Sequence, residues 1–288
     1  MQQRIHTISF VGLGLIGASL MQALKRAATA TGRTIELIGF DPGFSDEDKK
    51  AITSFYGLNR FEEEPSRLYD ADLVVLCAPA LANIGLLDTV KKYAPEDALI
   101  TDVSSTKADI DERAKELEIN FLGMHPIAGK ETQGFREASP ELLKDRTVII
   151  CSGDKLPESG HAAELVELLR AASCNVVAMS PEEHDRIYAY ISHLTQLVST
   201  ALMQYCGDFV NYSGPGFATI TRLAGSLWPM WYDIVKTNRE NIAKDLKGFA
   251  DQLSKMADDV SNENYEALES KFREANDLYQ RLQERSRS

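Results

Sequence analysis

Cysteine is scarce in this chain: Cys77, Cys151, Cys174 and Cys206 are the only four in 288 residues, with no C-x-x-C pair and no partnering histidine cluster. That scatter argues against a metal site, and a chain of this length needs no disulfide framework. Cations are outnumbered, 31 Lys+Arg against 43 Asp+Glu, for a formal net charge of −12 and a pI near 5.0. No basic run offsets that balance. Duplex nucleic acid, which needs clustered cations to displace counterions, is therefore not an expected partner, and neither is an anionic membrane surface. Long apolar runs are missing too. The segment 8–24, behind Arg4, imitates a targeting signal, but Gly12, Gly14 and Gly17 interrupt it. No stretch approaches the ~20 apolar residues that a membrane span requires. A cytoplasmic location is expected. What is present is ordinary globular material, 44% hydrophobic and 26% charged, at a length that suits two domains.

From residue 5 to about 179, short apolar runs alternate with amphipathic stretches. The runs are 5–11, 35–40, 73–77, 98–103, 121–124, 147–151 and 175–178, rich in Val, Ile and Leu and bounded by Gly, Pro, Asp or Asn. Such runs predict buried parallel strands joined by crossover helices, an α/β doubly wound domain over residues 1–180. After Ser180-Pro181 the period becomes helical. Ser180 suits an N-cap, Pro181 a first helical position, and Glu182 and Glu183 the positive end of the helix. Ile242, Leu246, Phe249, Leu253, Met256 and Val260 follow a 4-3-4-3-4 spacing, and Tyr265, Leu268, Phe272, Ala275, Leu278 and Leu282 continue it beyond a polar break. Two long antiparallel helices are expected, their seams serving monomer packing or a dimer. Residues 181–288 thus read as an all-helical domain, and no appended regulatory domain is expected.

Gly12-Leu13-Gly14-Leu15-Ile16-Gly17 is a G-x-G-x-x-G turn after the first strand and before a helix. Gly12 suits the tight turn, Gly14 the close approach of a pyrophosphate, and Gly17 helix–sheet packing. Leu15 and Ile16 lie in the first helical turn, where amides point at an anion. Asp41 ends the second strand, 24 residues past Gly17. Its carboxylate can accept from ribose hydroxyls and would repel a 2′-phosphate by roughly 4 kcal/mol at an effective dielectric of 20. NAD is the expected cofactor, over NADP. A glycine turn in a non-nucleotide α/β domain is the plainer alternative.

Further candidates sit where strands end and open α/β sheets bind ligands. Ala78 and Pro79 follow one strand; Asp102, Ser104, Ser105 and Lys107 follow another; and His125 closes the run 121–124 in Gly-Met-His-Pro-Ile-Ala-Gly, with Glu131 beyond it. A strand-end histidine can equally be a satisfied surface residue, but this one shares the sheet edge of the glycine turn. In the segment 184–203, placed at 100° steps, Asp185, Ala189, Ser192, Gln196, Ser199 and Met203 form a narrow stripe with His193 at its border. The rest of that circumference is largely apolar. A buried helix is expected, its stripe facing a ligand cavity or neighbouring helices. Arg222 stands alone in an apolar stretch, suited to a substrate carboxylate or to an intramolecular acidic partner.

Taken together, Gly12–Gly17 with Asp41, Thr101-Asp102…Ser105…Lys107, Gly123-Met124-His125-Pro126-Ile127-Ala128-Gly129, His184-Asp185…Ser192-His193-Leu194, Gly216-Phe217…Thr221-Arg222 and Trp231-Tyr232-Asp233-Ile234 resemble the prephenate/arogenate dehydrogenase family of tyrosine biosynthesis. The resemblance covers essentially the whole chain. It implies a Rossmann-type domain followed by an all-helical dimerisation domain, a homodimer, and an NAD-dependent oxidative decarboxylation. It further implies that His125 takes the ring-hydroxyl proton, that Ser105 orients that hydroxyl, and that His193 supports the pocket. Arg222, Gln196, Ser192, Glu131 and Asp185 would serve the substrate; Ala78, Pro79, Asp102 and Ser104 would join the glycine turn in holding the cofactor. Two positions depart from the family pattern. Where that pattern reads Ser-His-x-Pro-His this chain has Gln196 at the last position, and Leu227-Trp228 replaces the usual Asp-Pro. Prephenate and arogenate both remain open as substrate. A β-hydroxyacid-type reductase and a non-catalytic NAD-binding protein are the competing readings.

Overall fold

The computed structural model describes residues 4–130 and 132–287. Its first half is one sheet of eight strands: β1 (Thr7–Val11), β2 (Glu36–Phe40), β3 (Arg60–Phe61), β4 (Leu73–Leu76), β5 (Leu99–Asp102), β6 (Phe121–Pro126), β7 (Thr147–Cys151) and β8 (Asn175–Met179). Their spatial order is β3-β2-β1-β4-β5-β6-β7-β8, and every pair is parallel except β6–β7. Six helices connect them: α1 (Leu15–Ala30), α2 (Asp46–Phe55), α3 (Pro65–Leu68), α4 (Ala80–Tyr93), α5 (Ala108–Glu116) and α6 (Gly160–Ala171). One core joins Phe10, Leu37 and Val75 of the sheet to Leu20 and Leu24 of α1 and Leu165 and Leu169 of α6. The other joins Val74 and Ile100 to Leu87 and Val90 of α4 and Ile110 of α5. Neighbouring residues of one strand feed opposite cores, so the central strands must be apolar throughout. This is why the runs are continuous rather than alternating. The strands follow the seven apolar runs; β3, two half-exposed residues, carries too little pattern to be read.

The second half is helical: α7 (Pro181–Tyr188), a π turn (Ala189–His193), α8 (Leu194–Tyr205), α9 (Pro215–Thr221), α10 (Trp228–Thr237), α11 (Arg239–Ser261) and α12 (Tyr265–Arg287). Ser180 Oγ accepts from the Glu183 amide at 3.1 Å and caps α7. The helices α11 and α12 form the expected hairpin, tied by Lys271 to Asp259 at 2.5 Å. The expectation of one continuous, buried helix over 184–203 is corrected. The π turn adds a residue to the period, which carries Ser192 out to a half-buried position and turns His193 inward. The polar side is the covered one: His184, Asp185, His193, Gln196 and Ser199 are buried, while Tyr190 and Ile191 are 52% and 63% exposed. Among the described residues no helix is long and apolar enough to cross a membrane.

Candidate active site

The glycine turn is a cradle. Gly12 has φ +100°, which L side chains rarely adopt, and a Cβ there would lie 2.7 Å from the Cys77 carbonyl carbon. A Cβ on Gly17 would meet the Gly12 carbonyl oxygen at 2.2 Å, so both glycines are needed for α1 to start this close to β4. Gly14 differs: an added Cβ meets nothing within 4 Å. Its backbone faces open space in front of the first-turn amides of Leu15 and Ile16, which have no intrahelical acceptor. Asp41 stands beside them, accepting from the Leu13 amide at 2.9 Å and the Gly43 amide at 2.9 Å. One oxygen each is thereby oriented, with lone pairs left for ribose hydroxyls. Ala78 and Pro79 rim the same edge, their loop pinned by Asn83, whose amide accepts from Ala78 N at 3.1 Å and donates to Ser104 Oγ at 3.0 Å. These residues fit a dinucleotide.

Across the sheet edge lies a chain of imidazoles. His125, in β6, is half-buried. Its Nδ1 lies 2.8 Å from His184 Nε2, and His184 Nδ1 lies 2.8 Å from Asp185 Oδ1. Tyr188 stacks on His184 at 4.6 Å and meets His125 edge-on at 5.2 Å. The Asp185 carboxylate is fixed by backbone amides of the loop into α5: Lys107 N at 2.8 Å and Ala108 N at 2.9 Å. With an N–H on each oxygen, Asp185 acts as an acceptor, so His184 must donate from Nδ1 and accept at Nε2. His125 must then donate from Nδ1, which leaves its Nε2 as the unprotonated nitrogen. Burial, then the neighbouring His184, Lys107 and His193, holds the His125 pKa well below the usual imidazole value. Burial pushes His184 down to about 2 and His193 to about 4. The arrangement is a neutral imidazole with a fixed tautomer, which is what a general base needs.

Several sequence expectations change place. Asp102 is fully buried, paired with Lys107 Nζ and accepting from Ser104 N at 2.9 Å, so it is sealed from the cofactor edge. Ser104 is buried too, and holds the loop through Asn83 rather than presenting a hydroxyl. Asp185 sits behind His184 and orients it. Gln196 is buried with its amide in use: Nε2 donates to Leu223 O at 2.7 Å and Oε1 accepts from Ser226 Oγ at 3.2 Å. With Ser199 Oγ accepting from Ala224 N at 3.1 Å, it ties α8 to the exposed turn that Arg222 opens. His193 is buried, 3.3 Å from Asn238 Nδ2, and that amide also donates to Asp185 O at 2.8 Å, so His193 supports the network from behind. Ser105 and Ser192 are half-buried. Glu131 lies outside the described residues.

The two halves meet here. Thr106 and Thr237 share a hydrogen bond of 2.8 Å, and Asp233 of α10 accepts from Leu81 N at 3.1 Å, covering the first turn of α4 beside Pro79. A cavity of about 700 Å³ between them is lined by Leu81, Ala108, Lys236 and Arg239 among others, and meets the histidine network at Asp185. Sequence reasoning gave no role to His184, Lys107, Asn238 or Asp233. Each acts through a contact between distant segments, and only the adjacency of His184 to Asp185 hinted at one.

Residues 24–178 match the family model described as "Prephenate dehydrogenase, nucleotide-binding domain", and residues 180–274 match "Prephenate dehydrogenase, dimerization domain". The chain is 30% identical to the prephenate dehydrogenase of Bacillus subtilis, over 96% of its own length and 76% of that protein's. Among solved structures it is similar to prephenate dehydrogenase from Aquifex aeolicus in complex with hydroxyphenyl propionate and NAD+, with TM-score 0.83, 26% identity and 96% and 98% of the two chains covered. It is also similar to Synechocystis arogenate dehydrogenase, with TM-score 0.79, 27% identity and 94% and 97% covered. With the glycine cradle and the histidine network on one edge of the sheet, and with family models matched across both halves, the chain belongs to the prephenate dehydrogenase family.

Proposed function

We propose that this chain is an NAD-dependent dehydrogenase that converts prephenate to 4-hydroxyphenylpyruvate by oxidative decarboxylation, working as a homodimer. The observation that carries the reading is the His125–His184–Asp185 chain, which leaves His125 Nε2 unprotonated on the sheet edge of the glycine turn. NAD, when bound, supplies the hydride acceptor. His125 takes the proton of the ring hydroxyl as hydride leaves the carbon that bears it. The ring carboxylate then departs as CO2, the electron pair of that bond completes the aromatic ring, and the phenolate oxygen recovers a proton. Ser105 orients the hydroxyl, Arg222 receives a substrate carboxylate and Asp41 favours NAD over NADP. Arogenate is the second reading. Gln196 brings no charge toward the substrate side chain, and a structure similar to this one is an arogenate dehydrogenase.

The dimer is supported by the match of residues 180–274 to a dimerization domain. The apolar side chains that the helical half leaves open support it too, with Tyr205 91%, Phe272 65% and Trp228 62% exposed. The test is NADH formation by purified protein at saturating prephenate and then arogenate, with mass measured in solution. Turnover is expected, and the ratio of kcat/KM values selects the substrate. NAD binding without turnover of either would overturn the assignment, and a monomer at micromolar concentration would overturn the dimer.

A further inference from the structure

Strand β6 changes partners halfway along. Phe121 and Leu122 pair with β5 in parallel, while Gly123 to Pro126 pair with β7 antiparallel. Met124 lies beyond the last β5 pairing, and its amide and carbonyl point back toward β5, where no strand partner remains. Two side chains take that place. The Met124 amide faces Asp102 Oδ1 at 3.4 Å, and the Met124 carbonyl accepts from Lys107 Nζ at 2.9 Å. Lys107 Nζ also pairs with Asp102, and both side chains are fully buried. An unpaired buried lysine or carboxylate would be costly, so the pair stands or falls as a unit. Gly123 makes the room: a Cβ there would lie 3.2 Å from Lys107 Cδ.

The next residue is His125. Lys107 therefore grips the imidazole from two sides. Its side chain holds the Met124 carbonyl, at the peptide joining Met124 to His125. Its backbone amide anchors Asp185, which orients His184, which bonds the ring. Resting on the function proposed above, we propose that Lys107 is a positioning residue for His125. It stands in for the strand partner that β6 loses at Met124, fixes where the imidazole sits, and sets its Asp102-paired amine beside it. The other groups facing His125 are His184 and Tyr188 of α7 and His193 of the π turn, with Asp185 behind His184 and with Asp102 of β5 and Cys151 of β7 set around Lys107. Of the neighbours that disfavour imidazolium, His184 and His193 are themselves kept neutral by burial. The third is Lys107, which lowers the His125 pKa while paired with Asp102.

The test compares wild-type dimer with Lys107→Met and with the double variant Lys107→Met/Asp102→Asn, which leaves no buried carboxylate unpaired and keeps the test alive if the single variant fails to fold. The expected result in both is a kcat lower by at least thirtyfold, a KM for NAD within threefold of wild type, and an acidic limb of kcat/KM shifted upward by a pH unit or more. A folded double variant with unchanged kcat and pH profile would overturn the proposal. Ring nitrogen-15 spectra give a readout that needs no substrate. The chain has five histidines, so His125→Asn identifies the signal. His125 is expected to hold its proton on Nδ1 and to titrate higher in the variants than in wild type. If wild type turns over neither prephenate nor arogenate, the assigned function fails while the spectra still decide Lys107; spectra identical in wild type and variants would overturn its role.

Discussion

The two halves of the molecule differ in how much polar surface they bury. The sheet half is conventional: Phe10, Leu24 and Val75 are inside, and the described charges are outside except the Asp102–Lys107 pair and Glu164, which bonds Arg33 and the Ile5 amide. In the helical half a small apolar cluster of Ala189, Ile234 and Ile242 is covered together with His184, Asp185, His193, Gln196, Asp233, Asn238 and Asp245, while Phe272, Leu278 and Leu282 stay 65%, 56% and 59% exposed. A lone domain would not hold such an inverted distribution, since contiguous exposed apolar surface on a soluble chain marks an interaction site. The sheet half closes its core alone. The helical half turns polar residues toward the histidine network and leaves an apolar side open, which the proposed dimer would cover. The histidine network lies where these two kinds of interior meet, and changes that target one or the other separate them.

The largest effect is expected at the junction. His125→Asn removes the base while keeping a hydrogen-bonding side chain, and losing a general base costs about 10²–10⁴-fold, or ~3–5 kcal/mol of barrier. Steady-state kinetics should give a kcat at least 100-fold lower with NAD affinity unchanged. An unchanged kcat would return His125 to an ordinary strand residue.

Next comes a paired test of the two interiors. Leu24 is fully buried in the sheet-half core, so Leu24→Ala should cost about 2–5 kcal/mol in unfolding free energy, independent of protein concentration. Phe272→Glu in α12 should instead lower the dimer fraction in sedimentation and make Tm depend on concentration. If both variants shifted Tm equally at every concentration, the contrast between self-closed and partner-closed halves would be wrong.

Acid should act on the junction in two ways. His184 and His193 are held near 2 and 4 in the folded chain, whereas unfolded histidine titrates near ~6.5. Folding therefore releases protons below that pH, and stability should fall by about 1.4 kcal/mol per pH unit per histidine as pH drops from about 6.5 toward those values. Activity should respond differently from stability: His125 is depressed as well and stays neutral in the folded chain, so kcat/KM should stay level through pH 6.5 while denaturant midpoints decline. An activity loss centred at 6.5 would contradict the buried, neutral network.

This junction is also where sequence reasoning stopped. The strands were legible because a sheet covered on both faces demands unbroken apolar runs, and the Gly12–Gly17 turn because only glycine meets its backbone and close-packing needs. His125 was legible through its place at the sheet edge. The π turn was not: a helical wheel assumes a constant period, and one inserted residue exchanged Ser192 for His193. Nor was the fate of Asp102, since an acidic residue at a strand end suits a ligand as well as a buried lysine. The lysine that decides the matter comes five residues later.

Gln196 extends the comparison to a neutral residue. Its amide holds the Arg222 turn through Leu223 O and Ser226 Oγ, so Gln196→Leu leaves two half-buried groups without that partner, at about 1 kcal/mol. Because Arg222 would lose its support rather than its charge, KM for substrate should rise about tenfold with kcat within twofold. A fall in kcat with KM unchanged would place Gln196 against the reacting ring instead.

The smallest effect belongs to the cofactor edge, far from the inverted half. Asp41 accepts from two backbone amides, one on each oxygen, so Asp41→Asn keeps one of these bonds and turns an amide N–H toward the other donor, while removing the repulsion of a 2′-phosphate. Exposed to solvent and salt, that repulsion falls well below its low-dielectric value. The preference for NAD over NADP in kcat/KM should therefore narrow about tenfold, roughly 1.4 kcal/mol, with kcat for NAD little changed. A variant that kept the full NAD preference would show that the selection lies in the shape of the turn, and one that lost NAD turnover as well would show that the Leu13 and Gly43 amides need both carboxylate oxygens to stay in place.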